Sequence, residues 1–221
     1  MLKIIALIKR RADCSRAEFR RHYEEVHVPL ALQHLDQMSG YARNHITNEL
    51  VGGPAEFDCL SEFWYPDAAS LQRVQSYLQS DAAEPIRRDE LSFMSKAANR
   101  FFPVEEEVVV GPRHAGAAVE TSKLVVLATH APGQSPVVFL DRWRAALPAW
   151  LEAHPRPLRC VLNTVRHGGQ VETSWDAIAM LWYRKDAPEP SPLPTAPSGT
   201  EHYLIVRVAE CRTPLYESLS G

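Results

Sequence analysis

Four separated stretches of this chain return about 120 residues later, in the same order. KLVVLATH (123–130) lies over KIIALIKR (3–10), and FLDRWRAALPAWL (139–151) lies over FRRHYEEVHVPLAL (19–32) with one residue dropped. LNTV (162–165) lies over RNHI (43–46), and WDAIAMLWY (175–183) lies over FDCLSEFWY (57–65). The four offsets are 120, 120, 119 and 118 residues, a constancy that chance similarity rarely keeps. A fixed period of this kind signals internal duplication. Whatever the first hundred residues fold into, the next hundred should fold into a variant of it.

The first copy reads as alternating strands and helices. LKIIALIK (2–9) is apolar at both parities, which predicts a strand buried on both faces. Ser15-Arg16-Ala17-Glu18 fits a capping box that opens a helix. Within that helix Phe19, Tyr23, Val26 and Leu30 form one apolar stripe, with Arg20, Arg21, Glu24 and Glu25 on the other side. Pro29 lacks an N–H and disfavours helical geometry in Val28, so the helix should end or restart there. YARNHITN (41–48) and FDCLSEFWY (57–65) are strands, and Asp67 caps a helix to about Leu78. A further helical stretch covers about Pro85 to Met94. Residues 100–110 make a fourth strand, edge or bulged because of Pro103. The order β-α-β-β-α-β is the ferredoxin-like split βαβ.

A Gly/Ala-rich linker (111–122) separates this unit (1–110) from the second copy (123–221). The second copy is degenerate. Between Lys185 and Glu201 it carries Pro188, Pro190, Pro192, Pro194 and Pro197, which cannot form a helix and favour an extended or mobile loop. A four-stranded sheet with helices on one face leaves the other face open, and two copies can cover each other. The expected fold class is α+β: two ferredoxin-like units fused in one chain to form an intrachain α+β barrel.

The composition of the 221 residues, 45% hydrophobic and 23% charged with a formal net charge of -3, suits a globular protein. It gives no reason to expect nucleic acid or an anionic membrane as partner. No apolar run would span a bilayer, and Leu2 to Ile8 is too short for a signal peptide, so a cytoplasmic location is the default. The cysteines Cys14, Cys59, Cys160 and Cys211 are far apart and form no CxxC, which favours free thiols over disulfides or zinc.

These motifs carry a resemblance. The opening IKRRADCSRAEFRRHYEEVHVPL, the strands YARNHI and FDCLSEFWY, the helix opening at Asp67, and Asp89-Glu90-x-x-Phe93 resemble the EthD family of the dimeric α+β barrel superfamily. The match covers roughly residues 1–104. The second copy resembles it faintly, through its opening strand, Trp175-Asp176 and Leu181-Trp182-Tyr183. The resemblance implies a ferredoxin-like fold that pairs into a barrel, and it places the histidine of His27-Val28-Pro29 at a pocket. Related barrels include cyclases, isomerases, decarboxylases, dehydratases, quinone-forming monooxygenases and haem-handling enzymes, so the fold alone fixes little chemistry.

His27 borders the apolar stripe and is the first catalytic candidate, since an imidazole can take a proton alpha to a carbonyl and return it. Its other role would be to cap a helix C-terminus. The second copy has Ala146-Leu147-Pro148 there, which would leave one active site per chain. Tyr41, Arg43 and His45 share a strand face, with Tyr41 and His45 as auxiliary donors and Arg43 as a clamp for a substrate anion. The other account of that face is solvation at a sheet edge. Asp58 recurs as Asp176 and so suits a structural role. Glu62, which corresponds to Met180, suits a carboxylate orienting His27 or His45, or an ion pair with Arg43 or Arg100.

The expected function is therefore a cofactor-independent isomerase or lyase. It would move protons on a small unsaturated or aromatic-derived oxo-acid, by isomerisation, cyclisation, dehydration or decarboxylation. Arg43, Asn44, Glu62, Asp58 and Tyr23 would bind substrate between the first sheet and its helices. Two alternatives come from other classes: a non-catalytic binding or scaffold protein, and an oxygen- or haem-using barrel monooxygenase. His22 and His34 are expected to be exposed, and His114, His130, His154 and His167 to lie in loops or at strand ends. No ligand spacing predicts a metal, and no GxGxxG, P-loop or GxSxG motif predicts a nucleotide cofactor or a serine hydrolase. A further homodimer is left open.

Overall fold

A computed structural model of the chain describes residues 1–112, 120–153, 156–166, 175–186 and 190–213. Most of the expected linker, together with Pro188, His114, His154 and His167, lies outside the described residues.

The elements are β1 (Leu2–Ile8), α1 (Arg16–His22), a π turn (Tyr23–His27), α2 (Val28–Leu32), β2 (Gly40–Val51), β3 (Cys59–Tyr65), α3 (Ala68–Gln79), α4 (Glu84–Phe93) and β4 (Arg100–Val110). There follow β5 (Thr121–His130), α5 (Pro136–Ala153), β6 (Arg159–Val165), β7 (Ala177–Arg184) and β8 (Thr200–Thr213). The strands close into one eight-stranded antiparallel barrel in the order β1-β3-β2-β8-β5-β7-β6-β4. The expected α+β class stands, as a single closed barrel. Among the described residues no helix is long and apolar enough to cross a membrane.

By its contacts the chain divides into two compact units, 1–45 with 56–103 and 210–221, and 46–55 with 104–209. In the first, β3 is central, pairing antiparallel with β1 (Ala6 opposite Ser61) and with β2 (Arg43 opposite Ser61). Alternation along these strands sorts the side chains. Tyr41, Arg43, His45, Cys59, Ser61 and Phe63 share the helix-covered face. Ala42, Asn44, Leu60, Glu62 and Trp64 share the other. Ile5, Ala6, Leu7 and Ile8 are all buried, as a strand covered on both faces requires. The helix-side core joins Ala6, Ile8, Phe19, Tyr23, Val74 and Phe93.

The capping box is formed: Ser15 Oγ accepts from the Glu18 N–H (3.2 Å), and Glu18 Oε2 accepts from the Ser15 N–H (2.8 Å). Ser15→Ala is expected to cost about 1 kcal/mol, read as a lower urea midpoint with an unchanged slope. Asp67 Oδ1 accepts from the Ser70 N–H (2.7 Å) and opens α3 in the same manner.

The helix restarts beside Pro29 as expected: α2 begins at Val28 with Pro29 in its first turn, after a π turn in which the Val28 N–H reaches back to the Tyr23 carbonyl. The wider turn sits where a proline ring would otherwise meet the carbonyl four residues earlier. The expected irregularity of β4 is present, though not at Pro103. Pro103 sits just ahead of the register with β6, which begins at Val104, so its missing N–H breaks no bond of that ladder. The irregularity lies instead between Val108 and Val110.

In the second unit β5 pairs with β7 and β8, and β6 pairs with β7 and β4. Phe139, Trp143, Leu147 and Leu151 of α5 pack on Leu124, Val126, Leu162 and Ala179. The proline-bearing stretch 190–199 forms no helix. It is held where the Tyr203 hydroxyl donates to the Pro194 carbonyl (2.8 Å).

Candidate functional site

The π turn builds the site. In a regular helix Val26 would complete the apolar stripe and His27 would only border it. The wider turn brings residues four apart close to eclipse. Val26 is thereby turned outward and is 46% exposed, whereas Tyr23 (1%) and His27 (6%) point inward one above the other.

Tyr23 is the hub. Its hydroxyl receives a hydrogen bond from the Tyr41 hydroxyl (3.1 Å) and meets Ser61 Oγ (3.0 Å). Its ring lies edge-on to both imidazoles, with centroids 5.3 Å from His27 and 5.6 Å from His45. Burial pushes the Tyr23 and Tyr41 phenols up, so both are protonated at neutral pH.

Each imidazole is backed by a carboxylate. His27 Nδ1 lies 2.8 Å from Asp89 Oδ2 on α4, and Asp89 Oδ1 also holds His22 Nε2 (2.7 Å). Burial lowers the His27 pKa, with Asp89 only partly opposing it. The neutral ring therefore donates its Nδ1–H to Asp89 and keeps a lone pair on Nε2. His45 Nε2 lies 2.6 Å from Glu24 Oε1. Burial lowers its pKa too, against the pull of Glu24, and its Nδ1 is buried without a partner.

Glu24 is shared. Arg43 Nε donates to its Oε1 (3.1 Å) and Arg43 Nη2 to its Oε2. Burial alone would raise the Glu24 carboxyl, but the bonds from His45 and Arg43 outweigh it and hold the group at about 2. Arg43 also donates to the Tyr41 carbonyl (3.2 Å) and to Thr213 Oγ1 (2.6 Å). Cys211 of β8 completes the group. Its sulfur and the ligating atoms of Glu24 and His45 all lie within 4.8 Å of one another.

Tyr23, His27, Tyr41, Arg43 and His45 thus come together. Asn44, Glu62 and Asp58 do not join them. Glu62 lies on the opposite sheet face, where it pairs with Lys3 (2.7 Å) and accepts from Asn44 Nδ2 (2.9 Å). It orients neither histidine and meets neither Arg43 nor Arg100. The carboxylates that do meet the histidines are Asp89 and Glu24. Asp58 accepts from the Arg10 N–H (3.2 Å) and is ringed by Lys9, Arg10 and Arg16. Asp176 likewise accepts from the His130 N–H (2.7 Å). His22 is held by Asp89 rather than free in solvent, and it lines with Phe93, Ser92 and Val26 a surface hollow of about 280 Å³. The Phe93 ring in turn lies 5.3 Å from that of His27.

The sequence placed Glu24 on the outer helix face because regular helical spacing puts it there. Cys211 looked like an isolated thiol because its partners come from other elements. Asp89 stood in a recognised motif, with no local pattern tying it to His27. Glu24, His45 and Cys211 form a group that could hold a metal ion, although no ligand spacing in the sequence predicts one.

A family model for the EthD domain matches residues 11–97. No curated protein sequence matches the chain. An anthrone oxidase-like protein is similar over 99% of this chain and 96% of its own, with a TM-score of 0.56 at 10% identity. A putative monooxygenase from Fusobacterium nucleatum subsp. nucleatum is similar over 94% of this chain and 90% of its own, with a TM-score of 0.51 at 8% identity. At such identities the likeness is one of fold. The expectation of a cofactor-independent isomerase or lyase is set aside, because Glu24, His45 and Cys211 form a group that could hold a metal ion.

Proposed function

We propose that this chain is an oxygen-using oxidase or monooxygenase, with its site in the first unit around Tyr23. One observation carries the proposal: a hydrogen-bonded phenol pair stands between two imidazoles, each backed by a carboxylate. Such a group can accept a proton from a substrate while the electrons leave for oxygen. The names of the two structural relatives support the same class.

The substrate class is a small aromatic compound with an acidic C–H or O–H. For a CH2 between aromatic rings, the balanced reaction with one O2 gives C=O and one water. Two C–H bonds break, one oxygen atom enters the product, and the other leaves with both hydrogens. The four electrons lost by carbon are the four gained by oxygen, so no further reductant enters. His27 takes the first proton at Nε2. His45 Nδ1, buried without a partner, is the second polar contact, since the Tyr41 hydroxyl is given to Tyr23 and Arg43 is paired with Glu24. The hollow beside His22 and Phe93 is the approach.

The test is oxygen uptake by the purified chain with a panel of anthrones and hydroquinones, with quinone product followed by absorbance. One O2 consumed per ketone formed from a methylene is expected. Isomerised or decarboxylated product without oxygen uptake would remove the proposal.

The tandem organisation belongs to the same proposal, with residues 1–110 as an EthD-like unit and 123–221 as a degenerate copy that carries no second site. Two pairs of equivalent contacts support it. The Asp58 and Asp176 N–H groups donate to the Ile8 and Ala128 carbonyls, 2.8 and 2.9 Å away. Lys3 lies over the Trp64 ring and Lys123 over the Trp182 ring, at 4.7 and 4.1 Å.

A further inference from the structure

We propose that Glu24, His45 and Cys211 bind one thiol-seeking metal ion, with monovalent copper the preferred ion. The inference deepens the oxygen-using proposal above and rests on it for what the ion would do. The binding itself is argued from the three side chains.

The donors come from three elements: the π turn, β2 and β8. Their ligating atoms lie within 4.8 Å of one another. An ion held at about 2.0–2.3 Å from nitrogen, oxygen and sulfur places its ligands roughly 3–4 Å apart. Small side-chain shifts therefore seat one. Glu24 Oε1 and His45 Nε2, at 2.6 Å, are drawn together by a shared proton, and the ion takes that proton's place. The displaced proton has a position to go to, because His45 Nδ1 is buried and has no partner. Cys211 gives up its own proton on binding, as a ligating thiol must. The His45 side chain is 3% exposed and that of Glu24 20%, so an ion entering past Glu24 and Cys211 would rest against the imidazole.

Charge selects the ion. Arg43 already grips Glu24, and Arg20 Nη2 lies 3.8 Å from Cys211 Sγ. Each added unit of positive charge is penalised beside two guanidiniums. A thiolate and an imidazole suit soft ions, and copper(I) brings the least charge among them.

The experiment uses the full chain, reduced and freed of metal by dialysis against a chelator. Copper(I) is titrated against a chromogenic competitor, and cobalt(II) is added separately as a probe of thiolate ligation. One copper(I) per chain and a sulfur-to-cobalt charge-transfer band are expected. Cys211→Ser should abolish the band and weaken copper(I) by about 100-fold or more, since even groups behind the ligands are worth 10–100-fold. Cys14→Ser should change neither. Cys211 is only partly buried, so its serine variant tests the site in a folded protein. Copper(I) held as tightly by Cys211→Ser as by the parent, or a band lost in Cys14→Ser instead, would overturn the site. Neither titration needs substrate, so a negative result here leaves the oxygen-uptake proposal standing.

Discussion

Glu24→Gln is expected to lower the stability of the protein by about 3–5 kcal/mol, the usual result of removing one partner from a buried ion pair. The substitution keeps the shape of the side chain and removes the counter-charge of Arg43, whose side chain is only 4% exposed. Arg43 would retain the Tyr41 carbonyl and Thr213 Oγ1, which satisfy hydrogens without neutralising charge. The size of the loss therefore reports an uncompensated cation more than a missing contact. Arg43→Met with Glu24→Gln should recover more than half of it, because the stranded charge is then gone as well. Urea midpoints of the parent, both single variants and the double variant check this. Additive losses would mean that the pair does not act as a unit. Acid titration gives a second reading. The folded carboxyl is held at about 2, below its ordinary 4.5. A depressed folded pKa contributes stability that is fully present above 4.5 and lost as the pH falls toward 2. The gap between parent and Glu24→Gln should accordingly close over that acid range and stay constant at neutral pH.

How much of this could be read beforehand varies from residue to residue, for physical reasons. The strands, the Ser15 capping box and the Asp67 cap were legible because they are local: alternation along a strand and a hydroxyl three residues ahead of a carboxylate lie within one short window. Tyr41, Arg43 and His45 were placed on one face by that same alternation. Glu24 was not legible because its partners His45 and Arg43 lie on another element, which helical spacing does not reach. Glu62 shares the parity of Leu60 and Trp64, which already sets it on the sheet face away from the histidines and Arg43. Asp89 and Cys211 act across 62 and 166 residues from His27 and His45. Closing such contacts depends on the whole barrel, and no spacing rule reaches that far.

Asp89 offers the sharpest test of the proposed chemistry, because it acts on substrate only through His27. His27→Gln removes the proton acceptor and should lower the rate of oxygen uptake by about 10²–10⁴-fold. Asp89→Asn keeps the imidazole and should cost about 10²-fold, since the amide no longer fixes the proton on Nδ1. The two losses alone would not separate catalysis from misfolding, but the pH profile does. Burial lowers the His27 pKa and Asp89 raises it. Removing that carboxylate leaves burial less opposed, so the acid limb of kcat should move to lower pH in Asp89→Asn even as the maximum falls. His22 acts in the opposite sense on His27, so His22→Gln should move the limb slightly upward. A purely structural Asp89 would depress the whole profile without displacing it. Opposite displacements in the two variants require an imidazole that titrates in the rate-determining step, with Asp89 as its positioning residue.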